Sequence, residues 1–216
     1  MRLFQKAGLY LVTSAEFSRG RSTIEVVERA LAGGVRLVQL REKGLSGSDL
    51  TELAGEVHAL TRRAGALLLI NDRLDIALAV EAEGVHLGKD DLPIDLARRI
   101  APDLIIGASS HSVDEALYAE RRGASYVNIG PVFPTKTKEW QGDFLGTDVV
   151  RRVADAVRIP FTVMGGIGKE QLADLAAAGA STFAVVSAIA AADDPVAAAG
   201  DLLAEIERVV MRMEEV

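Results

Sequence analysis

The sequence predicts a (β/α)8 barrel, also called a TIM barrel, formed by a single domain over residues 1–216. Short aliphatic runs recur along the whole chain. Their continuous rather than alternating hydrophobicity is typical of parallel strands buried on both faces. Segments with helical periodicity separate most of these runs. Eight strands that alternate with helices in 216 residues favour a closed barrel, and a doubly wound open sheet is the main alternative.

The predicted strands follow one another at regular intervals along the chain. They occupy residues 8–14, 35–41, 67–71, 84–88, 104–109, 125–130, 161–166 and 182–187. The segment "STIEVVERALAGG" (22–34) shows the expected helix signals, because it opens with Ser and Thr as caps and ends in Gly. A weak internal repeat supports the alternation. Residues 120–130 and 175–187 both contain a helix end, Gly-Ala-Ser and an aliphatic strand.

Composition limits the classes of function. The formal net charge is −7 and aromatic residues make up 5% of the chain, so we expect no nucleic-acid partner and no membrane partner. The absence of cysteine excludes disulfides, a thiolate metal site and a cysteine nucleophile. The first residues lack a signal-peptide pattern, and no apolar run reaches the roughly 18 residues of a membrane helix. We therefore expect a cytoplasmic enzyme with small-molecule substrates; homo-oligomer formation stays open.

Polar side chains alternate at the end of the second predicted strand. Gln39, Arg41 and Lys43 project to one side if the strand continues that far. Catalytic groups of a barrel lie at the carboxyl ends of its strands, where two cations and an amide would suit an anion. The alternative is that Arg41 and Lys43 are solvated charges that pair with Glu42.

Carboxylates follow the third and fourth predicted strands. Asn71 and Asp72 end the third strand, and Asp90 and Asp91 precede Pro93 after the fourth. Adjacent strands would place Asp72 and Asp91 side by side, where they would repel an anionic substrate. A Mg²⁺ ion that bridges carboxylates to phosphate oxygens would remove this conflict. The alternative assigns the same residues to an Asx-turn and a helix N-cap.

Hydroxyl groups follow the fifth and sixth predicted strands. Ser109 and His111 form a candidate polar pair, although His111 would also fit a helix start with Ser112 as its N-cap. The segment "GPVFPTKTK" (130–138) contains two prolines, so its polar end is predicted to be a loop. Two threonines and two lysines at the end of a strand indicate an anion-binding loop.

The last two strand ends predict a phosphate site. Gly165 and Gly166 permit a close backbone approach, and a short helix after Val186 and Ser187 would direct its N terminus at an anion. The loops after strands 7 and 8 of barrels frequently bind phosphate in this way. The alternative is that these are ordinary strand-to-helix turns.

Seven motifs in order resemble the thiamine-phosphate synthase family over essentially the whole chain. They are "LVQLREK", "NDRLDIAL", "GVHLGKDDLP", "IGASSHS", "GPVFPTKTK", "GGI" and "VVSAI". The resemblance implies an enzyme that joins an aminopyrimidine-methyl diphosphate to a thiazole phosphate with release of pyrophosphate. It also implies a Mg²⁺ cofactor and a pyrimidine-stabilised carbocation that the thiazole nitrogen captures. Lys89 departs from the family pattern, where many relatives are expected to have glutamine.

The resemblance also implies a role for each site residue. The residues implied to contact the pyrimidine diphosphate are Gln39, Arg41, Lys43, Asn71, Ser109 and Lys138. Those implied to be catalytic are Arg41, Lys43, Ser109 and Lys138. The implied metal ligands are Asp72 and Asp91. The residues implied to line the thiazole phosphate are Thr135, Lys136, Thr137, Gly166, Val186 and Ser187.

Two other functions are alternatives to the synthase. An aminothiazole tautomerase of the same barrel family would use His111 as an acid and base near neutral pH, and would not need a Mg²⁺-bound diphosphate. A catalytically silent barrel would bind thiazole or thiamine phosphates as an adaptor or regulator, without turnover. The complete set of proposed metal and leaving-group residues favours the synthase over both.

Overall fold

The computed structural model describes residues 1–137 and 142–214, with side chains up to residue 211. Its eight parallel strands close into a barrel in chain order, which confirms the predicted TIM barrel. The strands are β1 (Leu9–Val12), β2 (Leu37–Leu40), β3 (Leu67–Asn71), β4 (Gly84–Leu87), β5 (Ile105–Ser110), β6 (Tyr126–Ile129), β7 (Phe161–Met164) and β8 (Phe183–Val185). The closing pair is β1 with β8, where Leu9 lies opposite Phe183 and Leu11 opposite Val185. The open-sheet alternative is therefore wrong.

Helices connect the strands and cover the outside of the barrel, except α1, which precedes β1 and closes one end of the interior. They are α1 (Arg2–Gln5), α2 (Thr23–Ala32), α3 (Gly47–Arg63), α4 (Leu74–Ala79), α5 (Ile94–Ile100), α6 (Val113–Arg121), α7 (Gly146–Ala156), α8 (Leu172–Ala177), α9 (Ser187–Ala190) and α10 (Pro195–Glu214). Two 3₁₀ turns, Ala15–Phe17 and Lys169–Gln171, complete the regular elements. No helix in the described ranges is both long enough and apolar enough to cross a membrane.

Serine side chains cap three of the covering helices. Ser22, Ser46 and Ser112 each accept a hydrogen bond from the backbone N–H three residues later, which satisfies one of the unpaired donors at a helix start. The cap expected from "STIEVVERALAGG" and the N-cap expected at Ser112 are both confirmed. These caps fix where each strand-to-helix loop ends at the mouth of the barrel.

Alternate residues of the strands fill the inside of the barrel. Toward the amino ends of the strands the interior is aromatic and aliphatic, and Phe4 of α1 closes it from below with its ring centroid 4.4 Å from that of Tyr126. Toward the carboxyl ends the interior becomes polar, with Gln39, His86 and Asn128 almost fully buried. Polar interior groups and the loops that follow the strands therefore meet at the carboxyl end, where barrel enzymes carry their sites.

Candidate functional site

Two carboxylates and two cations meet at the carboxyl ends of β2, β3 and β4. Asp72 follows β3 in the left-handed backbone region, with φ of 63°, and its N–H donates to the carbonyl of His86 on β4 at 2.8 Å. The Asp72 and Asp91 carboxylates lie within hydrogen-bonding reach of each other, and Arg41 and Lys43 are close enough to act on Asp72 electrostatically. The structure thus brings together the four charged residues expected at this rim.

The environment of Asp72 makes its negative charge unfavourable. Burial raises the pKa of its carboxyl to about 6, and the neighbouring Asp91 carboxylate adds to the rise, while the positive charges of Arg41 and Lys43 oppose it. Asp91 is held by the backbone, because its Oδ2 accepts a hydrogen bond from the N–H of Gly88 at 2.7 Å. Two adjacent carboxylates of this kind favour a divalent cation between them.

The structure does not support the alternative in which Arg41 and Lys43 are surface charges that pair with Glu42. Glu42 does not neutralise the cations: its carboxylate accepts from the N–H of Ala15 and the hydroxyl of Thr23, both at 2.8 Å. In the described part of the chain no ion pair joins Glu42 to Arg41 or Lys43, so the predicted alternative pairing is wrong. Glu42 instead ties the loop after β1 to the loop after β2.

This environment leads to a pH-dependent stability in the absence of metal. A carboxyl whose pKa is about 6 in the fold and 3.8 in the unfolded chain stabilises the fold at low pH, and this contribution is lost as pH rises through 6. Asp72→Asn removes the buried charge, and asparagine tolerates the left-handed backbone. In EDTA at pH 7.5 we expect the variant to be more stable by less than about 1 kcal/mol, because the half-buried group is partly screened by water.

Urea unfolding at pH 4 and pH 7.5 measures this effect, since the advantage of Asp72→Asn should vanish at the lower pH. Asp75→Asn is the matched control. A hydrogen bond from Arg73 lowers the pKa of the Asp75 carboxyl, so this variant should lose stability at pH 7.5 instead. If Asp72→Asn were less stable than the unmodified protein at pH 7.5, the assigned charge environment would be wrong.

A chain of five hydrogen-bonded side chains crosses the barrel interior beneath this rim. The Nε2 of Gln39 donates to the hydroxyl of Tyr10 at 2.6 Å, and the hydroxyls of Tyr10 and Tyr126 are 2.9 Å apart. The Tyr126 hydroxyl lies 2.8 Å from Nδ1 of His86, and Nε2 of His86 lies 3.0 Å from Oγ of Ser109. We call these residues the interior hydrogen-bond chain. It connects two of the predicted substrate contacts, Gln39 and Ser109, through three residues to which the sequence analysis assigned no role.

His111 lies beside the mouth but is bound to its own helix. Its Nδ1 is 3.0 Å from Oε2 of Glu115, and its backbone N–H donates to the same oxygen at 2.7 Å. These contacts bind His111 to the first turn of α6, as in the predicted helix start. Lys89, the residue that departs from the family pattern, is exposed, and its charge helps to lower the pKa of Glu115 rather than meeting the carboxylate pair at the rim.

The second half of the mouth is a cavity of about 480 Å³ between the loops after β6, β7 and β8. Thr135, Thr137, Gly166, Val186 and Ser187 all line it, so the structure brings together five of the six residues expected to line the thiazole phosphate. The hydroxyls of the two threonines are 3.0 Å apart. Because hydroxyls and backbone N–H groups are phosphate donors, this cavity has the chemistry expected for one phosphate.

The "GPVFPTKTK" segment also contains the two lysines of the predicted anion loop, Lys136 and Lys138. Lys136 is exposed and lies between two threonines that face the cavity. Lys138 lies outside the described residues, so its predicted place near the diphosphate stays a prediction. Asn71 ends β3 opposite His86 of β4, at the same rim as Asp72.

The glycines of "MGGIG" have a packing role beside the predicted phosphate role. The segment after β6 runs along β7, because the N–H groups of Val132 and Phe133 donate to the carbonyls of Met164 and Gly165. Gly166 has φ of 64°, and a Cβ there would lie 2.4 Å from the carbonyl oxygen of Pro134. The backbone at Gly166 therefore packs closely against the loop after β6 and also lines the cavity.

The residues that the prediction missed are His86, Tyr10 and Tyr126. They lie within runs that are continuously hydrophobic, so the sequence does not show which faces point inwards. A weak signal exists in β4, where "GVHLG" places His86 two residues from Gly84 and two from Gly88. Glycine within a strand often marks a site where another group approaches closely, so a histidine that shares their face is a candidate interior residue.

Similarity to known proteins extends over most of the chain. Residues 9–189 match the family model described as thiamine monophosphate synthase. A thiamine-phosphate synthase of Chloroflexus aurantiacus is 49% identical over 196 residues, which are 91% of each chain. One of Archaeoglobus fulgidus is 45% identical over 96% of this chain and 97% of the relative. A solved thiamine phosphate pyrophosphorylase of Pyrococcus furiosus superposes with a TM-score of 0.89 at 38% identity, covering 96% of this chain and 99% of that one.

Proposed function

This chain belongs to the thiamine monophosphate synthase family, and we propose that it joins an aminopyrimidine-methyl diphosphate to a thiazole phosphate, releasing pyrophosphate. The observation that carries the proposal is the division of the barrel mouth into two anion sites. One combines Arg41 and Lys43 with a carboxylate pair, and the other is the cavity lined by Thr135 and Thr137. A synthase for two phosphorylated substrates needs both sites at one mouth.

The half of the mouth that contains Arg41 and Lys43, here called the cation side, would bind the diphosphate and stabilise it as it leaves. When the bond between the methylene carbon and the diphosphate oxygen breaks, the electron pair stays on that oxygen. Arg41 and Lys43 can stabilise this growing negative charge, because no ion pair in the described ranges neutralises them. Gln39, Asn71 and Ser109 lie in the carboxyl halves of β2, β3 and β5 and are proposed to orient the pyrimidine, with Lys138 joining them.

Asp72 and Asp91 are the residues proposed to hold Mg²⁺. Two carboxylates in contact, one of them with a raised pKa, fit a divalent cation that needs oxygen ligands. Within the described residues no third acidic or histidine side chain joins them, so substrate oxygens and water would complete the coordination. Bound there, the ion would supply positive charge for the diphosphate oxygens.

The cavity side would bind the thiazole phosphate. Thr135, Thr137 and the backbone at Gly166, Val186 and Ser187 supply the donors, and Lys136 would add a positive charge from the exposed side. A phosphate held there keeps the thiazole nitrogen facing the cation side. That nitrogen then donates its electron pair to the carbocation and forms the new C–N bond. The protein contributes alignment rather than a nucleophile, and alignment is a large part of catalysis for two bound substrates.

The two alternative functions have less support. A tautomerase that uses His111 has less support, because the matching family model and the relatives described above are thiamine-phosphate synthases. A silent adaptor would not need two carboxylates held against each other at the rim. We propose further that the protein is cytoplasmic and acts without nucleic-acid or membrane partners.

Pyrophosphate release from the purified protein tests the proposal. The protein is given both substrates and Mg²⁺, and pyrophosphate should appear only when all are present. Isomerisation of a thiazole phosphate that depends on His111, with no pyrophosphate, would support the tautomerase instead. Binding of the thiazole phosphate without turnover would support the adaptor.

Thr135→Val tests the assignment of the two anion sites to two substrates. The change removes one donor to the thiazole phosphate while keeping the side chain shape. We expect KM for the thiazole phosphate to rise about tenfold, which is the loss of one hydrogen bond to a charged group. KM for the pyrimidine diphosphate should stay within about twofold, and steady-state kinetics with each substrate varied separately measures both. A larger rise for the pyrimidine diphosphate would mean that the two sites are assigned in the wrong order.

A further inference from the structure

We infer that the interior hydrogen-bond chain has one fixed direction, which makes His86 a positioning residue that holds Ser109 as a hydrogen-bond donor to the substrate. The inference rests on the proposed function for the identity of the substrate, but the direction of the chain is a property of the protein alone. None of the three linking residues, Tyr10, Tyr126 and His86, needs to touch the substrate for this role.

The number of hydrogens in the chain limits how it can be ordered. Tyr10 and Tyr126 are fully buried, and burial keeps both phenols protonated by raising the pKa of each well above its usual value. Each phenol therefore carries one hydrogen and can donate once. With two partners for each phenol, the hydrogens must all run one way or all run the other.

The position of Gln39 decides between the two directions. Tyr10 lies one interior layer closer to the amino ends of the strands, because Leu37, two residues before Gln39, is its partner in the β1–β2 register. Gln39 donates its Nε2 hydrogen down to Tyr10. Its amide oxygen then lies on the side of the mouth, where the positive charge of Arg41 favours a negative dipole end.

From this starting point each bond follows from the one before. Tyr10 accepts from Gln39 and donates to Tyr126, and Tyr126 donates to Nδ1 of His86. An acceptor Nδ1 in a neutral imidazole means that the hydrogen is on Nε2, which donates to Oγ of Ser109. Ser109 therefore accepts from His86 and keeps its own hydrogen for a group in the mouth.

This arrangement matches what the departing diphosphate and the pyrimidine need. The Ser109 hydroxyl can donate to an oxygen or ring nitrogen that gains negative charge, without being reoriented during the reaction. The amide oxygen of Gln39 can accept from an amino group of the pyrimidine. In the reverse direction Ser109 would donate to His86 and present only lone pairs to an anion, which is repulsive.

The tautomer of His86 is the direct test, and it is measured on the whole protein without substrate. Nitrogen NMR of protein with ¹⁵N-labelled histidine distinguishes Nε2–H from Nδ1–H, and His86→Gln identifies the His86 signals among the three histidines. We expect Nε2–H in the unmodified protein. A signal from Nδ1–H would overturn the inference, whether or not the enzyme is active.

Two matched tyrosine variants test the order of the bonds. Tyr10→Phe leaves Tyr126 with its hydrogen and with His86 as its acceptor, so the Nε2–H tautomer should persist. Tyr126→Phe removes the donor to Nδ1, so His86 should populate a mixture of tautomers. Melting curves first confirm that each variant folds. Identical tautomers in the two variants would contradict the inferred order.

Substitutions of His86 test whether the direction of the interior hydrogen-bond chain affects kcat. His86→Leu should lower kcat about tenfold or more, the effect of losing one hydrogen bond to a charged group, with KM for the thiazole phosphate unchanged. His86→Gln can still present an N–H towards Ser109 and should recover part of that loss. Equal losses in both variants would mean that His86 acts only through packing. If the unmodified protein released no pyrophosphate, the proposed function would fail while the tautomer result would stand.

Discussion

Asp91→Asn is expected to lower kcat/KM for pyrophosphate release at least about a hundredfold at saturating Mg²⁺. Loss of several kcal/mol of charge stabilisation corresponds to this size of effect. Asparagine keeps the acceptor that holds the N–H of Gly88, so the loop after β4 should keep its shape. The variant removes the charge that, with Asp72, is proposed to hold the metal. Rates measured over a range of Mg²⁺ concentrations should show a weaker apparent affinity for the ion.

Asp90→Asn is the matched control for this prediction. Asp90 is the exposed neighbour of Asp91. It is not one of the groups that shift the pKa of Asp72. Its kcat/KM should stay within about twofold, as expected for a solvated surface charge. If Asp90→Asn lost as much activity as Asp91→Asn, the metal ligands would be wrongly assigned. An Asp91→Asn variant with full activity and unchanged Mg²⁺ dependence would also contradict the proposal.

The barrel could be predicted from the sequence because its strands are buried on both faces. The run LLLI in β3, for example, is aliphatic at four successive positions, as expected for a parallel strand covered on both faces. The ends of strands were predicted less well. β8 stops at Val185 rather than residue 187, because Val186 leaves the extended region as the N-cap of α9, which begins at Ser187. α1 was missed because a helix of four residues has no periodicity to detect.

The candidate site could be predicted where neighbouring strands alone decide which residues meet. Asp72 and Asp91 follow adjacent strands, so their proximity required only the strand order. The interior hydrogen-bond chain could not be predicted in this way. It joins Tyr10 to Tyr126 across the closed barrel, 116 residues apart, and depends on strand tilt and register that the hydrophobic pattern does not encode. The contacts of Glu42 with the loop after β1 could not be predicted either, because they too depend on strand tilt and register.

The packing of the barrel interior also makes a side chain at Gly107 strongly destabilising. Gly107 faces the interior on β5, and a Cβ at this position would lie 2.2 to 2.4 Å from two ring carbons and the hydroxyl oxygen of Tyr126. That ring cannot move aside, because it is fully buried, packs against Phe4 and is hydrogen-bonded to Tyr10 and His86. Gly107→Ala should therefore cost about 3 kcal/mol or more of the free energy of unfolding, at the upper end of overpacking effects.

Gly55→Ala, the same chemical change at another position, is expected to stabilise the protein. Gly55 lies within α3, and nothing lies within 4 Å of an added Cβ there. Alanine is the better helix former, so this variant should gain about 0.5 to 1 kcal/mol. Urea unfolding followed by circular dichroism measures both variants in one buffer. A Gly107→Ala protein as stable as the unmodified chain would show that Tyr126 can leave its place, and a fixed direction for the interior hydrogen-bond chain would then lose its structural basis.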